Sequence, residues 1–210
     1  MAHPTPLELD GVAAVLHELE DARGSAVVLP GGSRANHRLG GTPARPDLHY
    51  VREVLLAHRL SVLEVWWRTE DAPDGDEVEA WLLGRARTAA AAAPAPVLVV
   101  VGRSWGSRAL AKLVLAGEAP DVLVWVTPLL PHAEVRRAVD AAAPRSLVIA
   151  GTADEMTPRN HLDRLRSLGA TVATVDGGDH GLGVGEAAAS ARALAEVLDA
   201  LGAFLASALR

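Results

Sequence analysis

The chain has 210 residues, half of them apolar, which is enough for one domain with a sizeable core. Its formal net charge of −6 at pH 7, without clustered Lys and Arg, excludes nucleic acid as the main partner. The absence of cysteine excludes disulfides, thiolate catalysis and Cys-ligated zinc, and the eight His residues show no metal-ligand spacing. Because no secretion-signal pattern or long uninterrupted apolar stretch is visible, we expect a cytoplasmic protein with no membrane partner.

The first 24 residues are predicted to form a short helix around Val12, Val15, Leu16 and Leu19, whose spacing fits one helix face. After it, short runs rich in Val, Leu and Ile predict buried parallel strands, because strands covered on both faces are almost continuously apolar. These strands are expected at residues 25–30, 61–67, 97–102, 122–127, 146–151 and 171–176. Helix formers at helical spacing predict helices at residues 46–58, 77–93, 105–116, 133–142, 159–168 and 186–208.

This alternation of strands and helices predicts an α/β fold, a three-layer sandwich with a mostly parallel sheet of about six strands. No internal repeat, linker or second domain is visible, so residues 1–210 are expected to form a single domain. Ligands on such sheets bind at the carboxyl ends of the strands. The residues that directly follow each strand are therefore the candidates for a functional site.

The segment Gly102-Arg103-Ser104-Trp105-Gly106 matches the pattern G-x-S-x-G between a predicted strand and a predicted helix. A sharp turn from strand to helix forces the central serine into strained backbone angles and lifts its hydroxyl clear of the sheet. The two glycines leave room for the strand and the helix to approach. We therefore predict that Ser104 is a nucleophile.

A serine nucleophile needs a base to take its proton and an acid to orient that base. His180 lies in the glycine-rich GGDHGLG that follows strand 171–176, and Asp154 lies in the GTADEMTP that follows strand 146–151. We predict that His180 is the base and that Asp154 is the acid. Glu155 is the substitute acid, and a helix-capping role is the structural alternative for Asp154.

The order Ser104, Asp154, His180 resembles that of the α/β-hydrolases, and nearly the whole chain is similar to the small, lidless, dienelactone-hydrolase-like serine hydrolases. The resemblance rests on the G-x-S-x-G segment, on G-x-x-D-x-x-x-P at 151–158, on the Asp-His pair at 179–180 and on S-x-G-x-R at 104–108. It implies the α/β-hydrolase fold and an acyl-transfer reaction without a cofactor or a metal.

The same resemblance implies an oxyanion hole built from two backbone N–H groups. One belongs to Trp105, the residue after the nucleophile, and the other to the VVLPGGSRAN segment, where Gly32 stands at the usual donor position and Ser33 is the alternative. The chain departs from the family pattern at Pro30, where His is common. The rival interpretation of a phosphate-binding loop is weak because neither glycine-rich nucleotide pattern is present.

Only a short connection separates strand 122–127 from the next helix, so we expect no lid domain and an open cleft. Such a cleft suits a small or polar acyl substrate, or an acyl group carried by a larger partner. We predict Trp67 and His132 as substrate-binding residues, with Trp66 and Trp105 as further candidates among the tryptophans near the site. For His132, simple exposure at the rim is the alternative.

Two functions from different classes remain open at this point. The first is a serine hydrolase that cleaves a small ester, thioester or lactone through an acyl-enzyme, with no cofactor. The second keeps the fold without hydrolysis, as a biosynthetic cyclase or lyase or as a ligand-binding protein. The sequence does not predict the natural substrate or the oligomeric state.

Overall fold

The structure is a computed structural model that describes residues 3–32, 46–67, 72–75 and 77–210. Within these residues the chain forms one eight-stranded sheet and six α-helices. The strands are β1 (His3–Leu9), β2 (Val12–Glu18), β3 (Gly24–Leu29), β4 (Leu60–Trp66), β5 (Val97–Arg103), β6 (Val122–Val126), β7 (Ser146–Gly151) and β8 (Thr171–Val175). The helices are α1 (Pro46–Ala57), α2 (Glu77–Ala91), α3 (Gly106–Leu115), α4 (Ala133–Ala141), α5 (Arg159–Ser167) and α6 (Ala187–Ala208), and a 3-10 turn at Ala143–Arg145 precedes β7.

The sheet has the strand order β1-β2-β4-β3-β5-β6-β7-β8. Strands β3 to β8 are parallel, whereas β1 pairs with β2 and β2 pairs with β4 in antiparallel fashion. The α/β prediction is confirmed, because the six predicted strands match β3–β8 and the six later helices match α1–α6 to within two residues at each end. The carboxyl ends of β5, β7 and β8 therefore lie along one edge of the sheet.

The prediction of a short helix in the first 24 residues is wrong, because this segment forms the β1–β2 hairpin. Asp10 and Gly11 both have positive φ, +50° and +79°, as the two central residues of a tight hairpin turn require. The apolar residues also fit a period of two, since Val12 and Ala14 are buried on the core side of β2. The Asp-Gly pair is the sequence signal that favours the hairpin over the helix.

The two faces of the sheet are covered by two separate apolar clusters. Helices α2, α3, α4 and α5 pack on one face through residues such as Leu82, Leu110 and Leu162. Helices α1 and α6 pack on the other face through residues such as Leu55 and Leu201. Burial on both faces explains why β3, β5, β6 and β7 are nearly continuous runs of apolar residues.

The connection between β6 and α4 consists of residues 127–132, which is too short to form a helical lid. The carboxyl edge of the sheet beside it carries the residues predicted for the site. Within residues 3–32, 46–67, 72–75 and 77–210, no helix has both the length and the apolar character needed to cross a membrane.

Alanine substitutions at Gly11 in the hairpin and Gly84 in α2 should have opposite effects on stability, although an added Cβ would meet open space at both positions. Gly11→Ala should lower the free energy of unfolding by about 1 kcal/mol, because alanine is strained at φ +79°. Gly84→Ala, inside α2, should raise it by about 0.5–1 kcal/mol, because alanine is the better helix former. Urea unfolding of both variants measures the difference, and a stabilising Gly11→Ala would contradict the hairpin.

Candidate active site

Ser104 lies in the sharp turn between β5 and α3 with φ +46°, a backbone conformation that residues other than glycine rarely adopt. Its N–H donates to the carbonyl of Val126 in β6 at 2.9 Å. The hydroxyl of Ser107 donates to the carbonyl of Ser104 at 2.5 Å and accepts from the N–H of Leu129 at 3.1 Å. These bonds fix the strained backbone and connect it to the segment that follows β6.

The two glycines of the G-x-S-x-G segment allow close approaches that no side chain would permit. A Cβ on Gly106 would lie 2.2 Å from the carbonyl oxygen of Leu29 and 2.7 Å from that of Pro30. A Cβ on Gly102 would lie 3.0 Å from both the Gly106 carbonyl oxygen and the Leu110 Cβ. The predicted crowding is present, and it brings the start of α3 directly against the end of β3.

The structure brings together the three residues predicted to form the triad. The Ser104 Oγ lies 2.8 Å from the His180 Nε2, and the His180 Nδ1 lies 2.9 Å from the Asp154 Oδ2. The side chain of His180 is 37% exposed, whereas Ser104 is 8% and Asp154 is 4% exposed. Because an ionised carboxylate only accepts, Nδ1 carries the proton and Nε2 is free to accept the proton of Ser104.

Asp154 is held as a carboxylate by the groups around it. Its Oδ2 accepts from the Thr157 hydroxyl at 3.0 Å, and its Oδ1 accepts from the Met156 N–H at 2.9 Å. Burial alone would raise the pKa of Asp154, but the hydrogen bonds from His180, Met156 and Thr157 outweigh it and lower that pKa. The substitute acid, Glu155, is exposed, whereas Asp154 contacts the imidazole directly.

The loops that carry the acid and the base pack directly on each other. The N–H of Ala153 donates to the carbonyl of Gly178 at 2.9 Å. A Cβ on Gly151 would lie only 2.0 Å from that same carbonyl oxygen. The glycine of the G-x-x-D stretch is therefore required for the contact that places Asp154 beside His180.

Asp179 shapes the loop that carries His180. Its Oδ1 accepts from the N–H groups of Gly181 at 2.7 Å and Gly183 at 2.9 Å. The turn continues through Leu182, which has φ +63° and is buried. The Asp179 carboxylate thus supports the loop rather than the proton transfer.

The oxyanion hole predicted from the backbone N–H groups of Trp105 and Gly32 remains a prediction. The structure describes the start of the loop that carries Gly32. A Cβ on Gly31 would lie 3.1 Å from the Ser104 Cβ, so this loop lies against the nucleophile. Gly32 follows it and is half-buried, and Trp105 directly follows Ser104. The alternative donor, Ser33, lies outside the described residues.

Three tryptophans form a contiguous aromatic cluster beside Ser104. The ring centroids of Trp67, Trp81 and Trp105 are 5.9–6.3 Å apart. Trp67 is only 1% exposed and packs against Trp105. Its burial does not favour the predicted contact with substrate. Trp105 is half-buried, as is Trp66, and Trp105 is the member of the cluster next to Ser104.

His132 lies at the surface as the residue that precedes α4. Desolvation, followed by the positive charge of Arg108, lowers the pKa of the His132 imidazole. The ring is therefore mostly neutral at pH 7, and its predicted role in substrate binding stays a prediction.

In the described part of the chain, no three His, Asp or Glu side chains lie together as metal ligands.

Four side chains at the site were not predicted from the sequence. Ser107 supports the turn at Ser104, and Thr157 donates to Asp154. Arg103 and Asp47 form a buried ion pair next to the same turn. Thr157 stands three residues after Asp154, a spacing typical of local side-chain bonding, but nothing in the sequence indicates the pairing of Arg103 with Asp47.

Comparisons with solved structures identify proteins that have a similar fold. No protein-family model matches the chain, and no curated protein matches it significantly. A lidless α/β serine hydrolase from Xanthomonas campestris has a TM-score of 0.69 and 19% identity, over 98% of this chain and 94% of that chain. Est1E from Butyrivibrio proteoclasticus, with ferulic acid bound, has a TM-score of 0.67 and 13% identity, over 98% and 99%. The Pyrococcus furiosus esterase Pf2001 has a TM-score of 0.66 and 14% identity, over 99% and 90%.

The chain therefore has the α/β-hydrolase fold, in a form similar to that of lidless serine hydrolases. The predicted resemblance is confirmed at the level of fold. At identities of 13–19%, the likeness shows the fold alone.

The lowered pKa of Asp154 predicts how its contribution to stability depends on pH. A carboxyl whose pKa is lower in the folded than in the unfolded state stabilises the fold above its unfolded pKa of about 3.9, and this stabilisation is lost as the pH falls through the folded pKa. At pH 5 the free energy of unfolding of Asp154→Asn should therefore be about 2 kcal/mol lower than that of the wild type, because hydrogen bonds to a charged carboxylate are lost. The difference should shrink as the pH falls from about 4 towards 2.

Urea unfolding at each pH measures this difference, and Glu155→Gln is the matched control because its side chain is exposed. The control should differ little from the wild type throughout. A difference between Asp154→Asn and wild type that stays constant down to pH 2 would contradict an ionised Asp154.

Proposed function

We propose that this protein is a serine hydrolase that cleaves a small ester, thioester or lactone through an acyl-enzyme. One observation carries the proposal: an unbroken hydrogen-bonded chain runs from the Ser104 Oγ through His180 to the buried Asp154, with Ser104 at φ +46°. A serine hydroxyl is activated when it is hydrogen-bonded to a base that is itself hydrogen-bonded to an acid. The likeness in fold to hydrolases and esterases supports the same conclusion.

In the first half of the proposed reaction the Ser104 Oγ attacks the carbonyl carbon while the His180 Nε2 takes its proton. Asp154 accepts from Nδ1–H and stabilises the imidazolium that forms. The protonated His180 then gives its proton to the leaving group as the bond from carbon to the leaving atom breaks. In the second half, His180 takes a proton from the water that attacks the acyl carbon. The bond from that carbon to the Ser104 Oγ then breaks, His180 returns the proton to Oγ, and the carboxylic acid leaves.

The negative charge that develops on the carbonyl oxygen needs donors fixed in advance. We assign this role to the N–H groups of Trp105 and Gly32. The support for Gly32 is the packing of the neighbouring Gly31 against Ser104. Backbone donors at these two positions require no cofactor or metal.

The substrate class follows from the surroundings of the triad. Residues 127–132 are too few to cover the site with a lid, and His180 is partly exposed. We therefore propose a small or polar acyl group, presented free or on a larger carrier. Trp105 is the better candidate than Trp67 for contact with the acyl group, because Trp67 is buried.

Labelling by a fluorophosphonate tests the proposal, because the reagent reacts with an activated serine whose oxyanion site accepts a tetrahedral phosphorus. The wild type should be labelled at Ser104, and labelling should disappear in Ser104→Ala and His180→Ala. In Asp154→Asn the kcat for ester hydrolysis should fall by roughly 10⁴-fold, which is the loss in kcat when a triad aspartate is replaced by asparagine. Mass spectrometry of the labelled peptide identifies the site.

Each variant must melt cooperatively for the comparison to count, and Ser167→Ala, at an exposed serine at the end of α5, is the control that should still be labelled at Ser104. A folded wild type that resists the reagent and cleaves no short ester between about pH 6 and 9 would remove hydrolysis. The cyclase, lyase or ligand-binding function would then take its place.

The open cleft makes a separate prediction about acyl-chain length. In an apolar tunnel each added methylene would contribute about 0.8 kcal/mol, which is roughly a fourfold rise in kcat/KM per carbon. Without a lid this rise should be absent, and acetate and butyrate esters should be cleaved faster than octanoate. Initial rates with nitrophenyl esters below their solubility limits measure this, and a steady rise up to octanoate would contradict the open cleft.

A further inference from the structure

Arg103 is a buried cation that the proposed mechanism does not use. It directly precedes Ser104 at the end of β5 and is only 4% exposed. Removing a guanidinium from water is costly unless its donors are paired. The groups that pair with Arg103 therefore show what its presence next to the nucleophile achieves.

Among the described residues, the guanidinium of Arg103 contacts three separate parts of the fold. Its Nε donates to the Asp47 Oδ2 of α1 at 2.5 Å, and the Asp47 side chain is buried as well. Its Nη2 donates to the backbone carbonyl of His180 at 3.4 Å. Its Nη1 lies 2.7 Å from the place that a Cβ on Gly31 would take.

These contacts converge on the parts of the site that must be aligned for catalysis. His180 is the base, and Gly31 precedes the proposed oxyanion donor Gly32 and lies against Ser104. One planar side chain at the end of β5 thus contacts both loops that must stay in register with the nucleophile. The ion pair with Asp47 fixes the plane of that side chain.

We propose that Arg103 is a positioning residue that aligns the His180 loop and the Gly31–Gly32 loop with Ser104, and that Asp47 orients its guanidinium. The inference rests on the proposed hydrolase function. Arg103 acts through these loops, since its guanidinium is directed to Asp47 and to the carbonyl of His180.

Arginine is suited to this role because its donors form a rigid planar fork. A lysine at the same position keeps the charge and can pair with Asp47, but its single ammonium group does not reproduce the fork. A displacement of catalytic groups by about 1 Å costs roughly 10²-fold in rate. Misalignment should therefore lower kcat and leave KM nearly unchanged.

The experiment compares the wild type with Arg103→Lys and Asp47→Asn in the hydrolysis of a short activated ester. The number of active molecules is titrated with a fluorophosphonate, so that kcat is expressed per reactive site. Arg52→Lys is the matched control, since Arg52 pairs with the buried Glu64 between α1 and β4, away from the nucleophile. A purely structural role would lower the melting temperature and the number of reactive sites, but not kcat per site.

We expect Arg103→Lys to lower kcat per reactive site by about 10²-fold with KM within about twofold of the wild type, and Asp47→Asn to lower kcat in the same direction. Arg52→Lys should retain the wild-type kcat. If Arg103→Lys does not fold, Asp47→Asn decides, because asparagine keeps the shape of the side chain.

Wild-type kcat per reactive site in both variants would overturn the inference and leave the hydrolase proposal intact. If neither variant melts cooperatively, the pair serves folding alone and the inference is overturned. A wild type that neither cleaves the ester nor reacts with the reagent would overturn the proposed function, and this inference with it.

Discussion

The positive φ of Ser104 is the constraint on which the site depends. A serine in this conformation is strained, and the strain persists only because the surrounding structure fixes it from several sides. The N–H of Ser104 is bonded to β6, its carbonyl is bonded to Ser107, and Gly106 packs on the end of β3. The result is a hydroxyl that stands above the sheet within 2.8 Å of an imidazole from a distant part of the chain.

The other parts of the site are arranged around this turn by close backbone contacts that need glycine. Gly31 lies against Ser104, so the loop after β3 approaches the turn after β5, and Gly151 lies against the carbonyl of Gly178, so the end of β7 approaches the loop after β8. Arg103 and Asp154 are buried polar groups that add directional bonds to this packing. Packing sets the distances between the loops, and the hydrogen bonds set the orientations of the reacting groups.

The sequence predicts most of this architecture because its signals are local. Runs of apolar residues predict β3–β8, and the G-x-S-x-G segment between a strand and a helix predicts the turn at Ser104. The hairpin was missed because Val12, Val15 and Leu16 fit a helical spacing, while the alternation of Val12, Ala14 and Leu16 includes an alanine that marks it only weakly. The pairing of Arg103 with Asp47, 56 residues apart, was missed because it depends on tertiary packing. The burial of Trp67 behind Trp105 depends on the same packing.

We propose that the strained Ser104 forms a covalent acyl-enzyme. The most direct test is to mix the wild type with an activated acetyl ester, stop the reaction in acid within the first turnovers and locate the acetyl group by peptide mass spectrometry. An acyl-enzyme at this position requires one acetyl group on Ser104, and more of it at early times than after the ester is exhausted. Hydrolysis of the ester that proceeds at the same rate in Ser104→Ala, or an acetyl group on another residue alone, would contradict it.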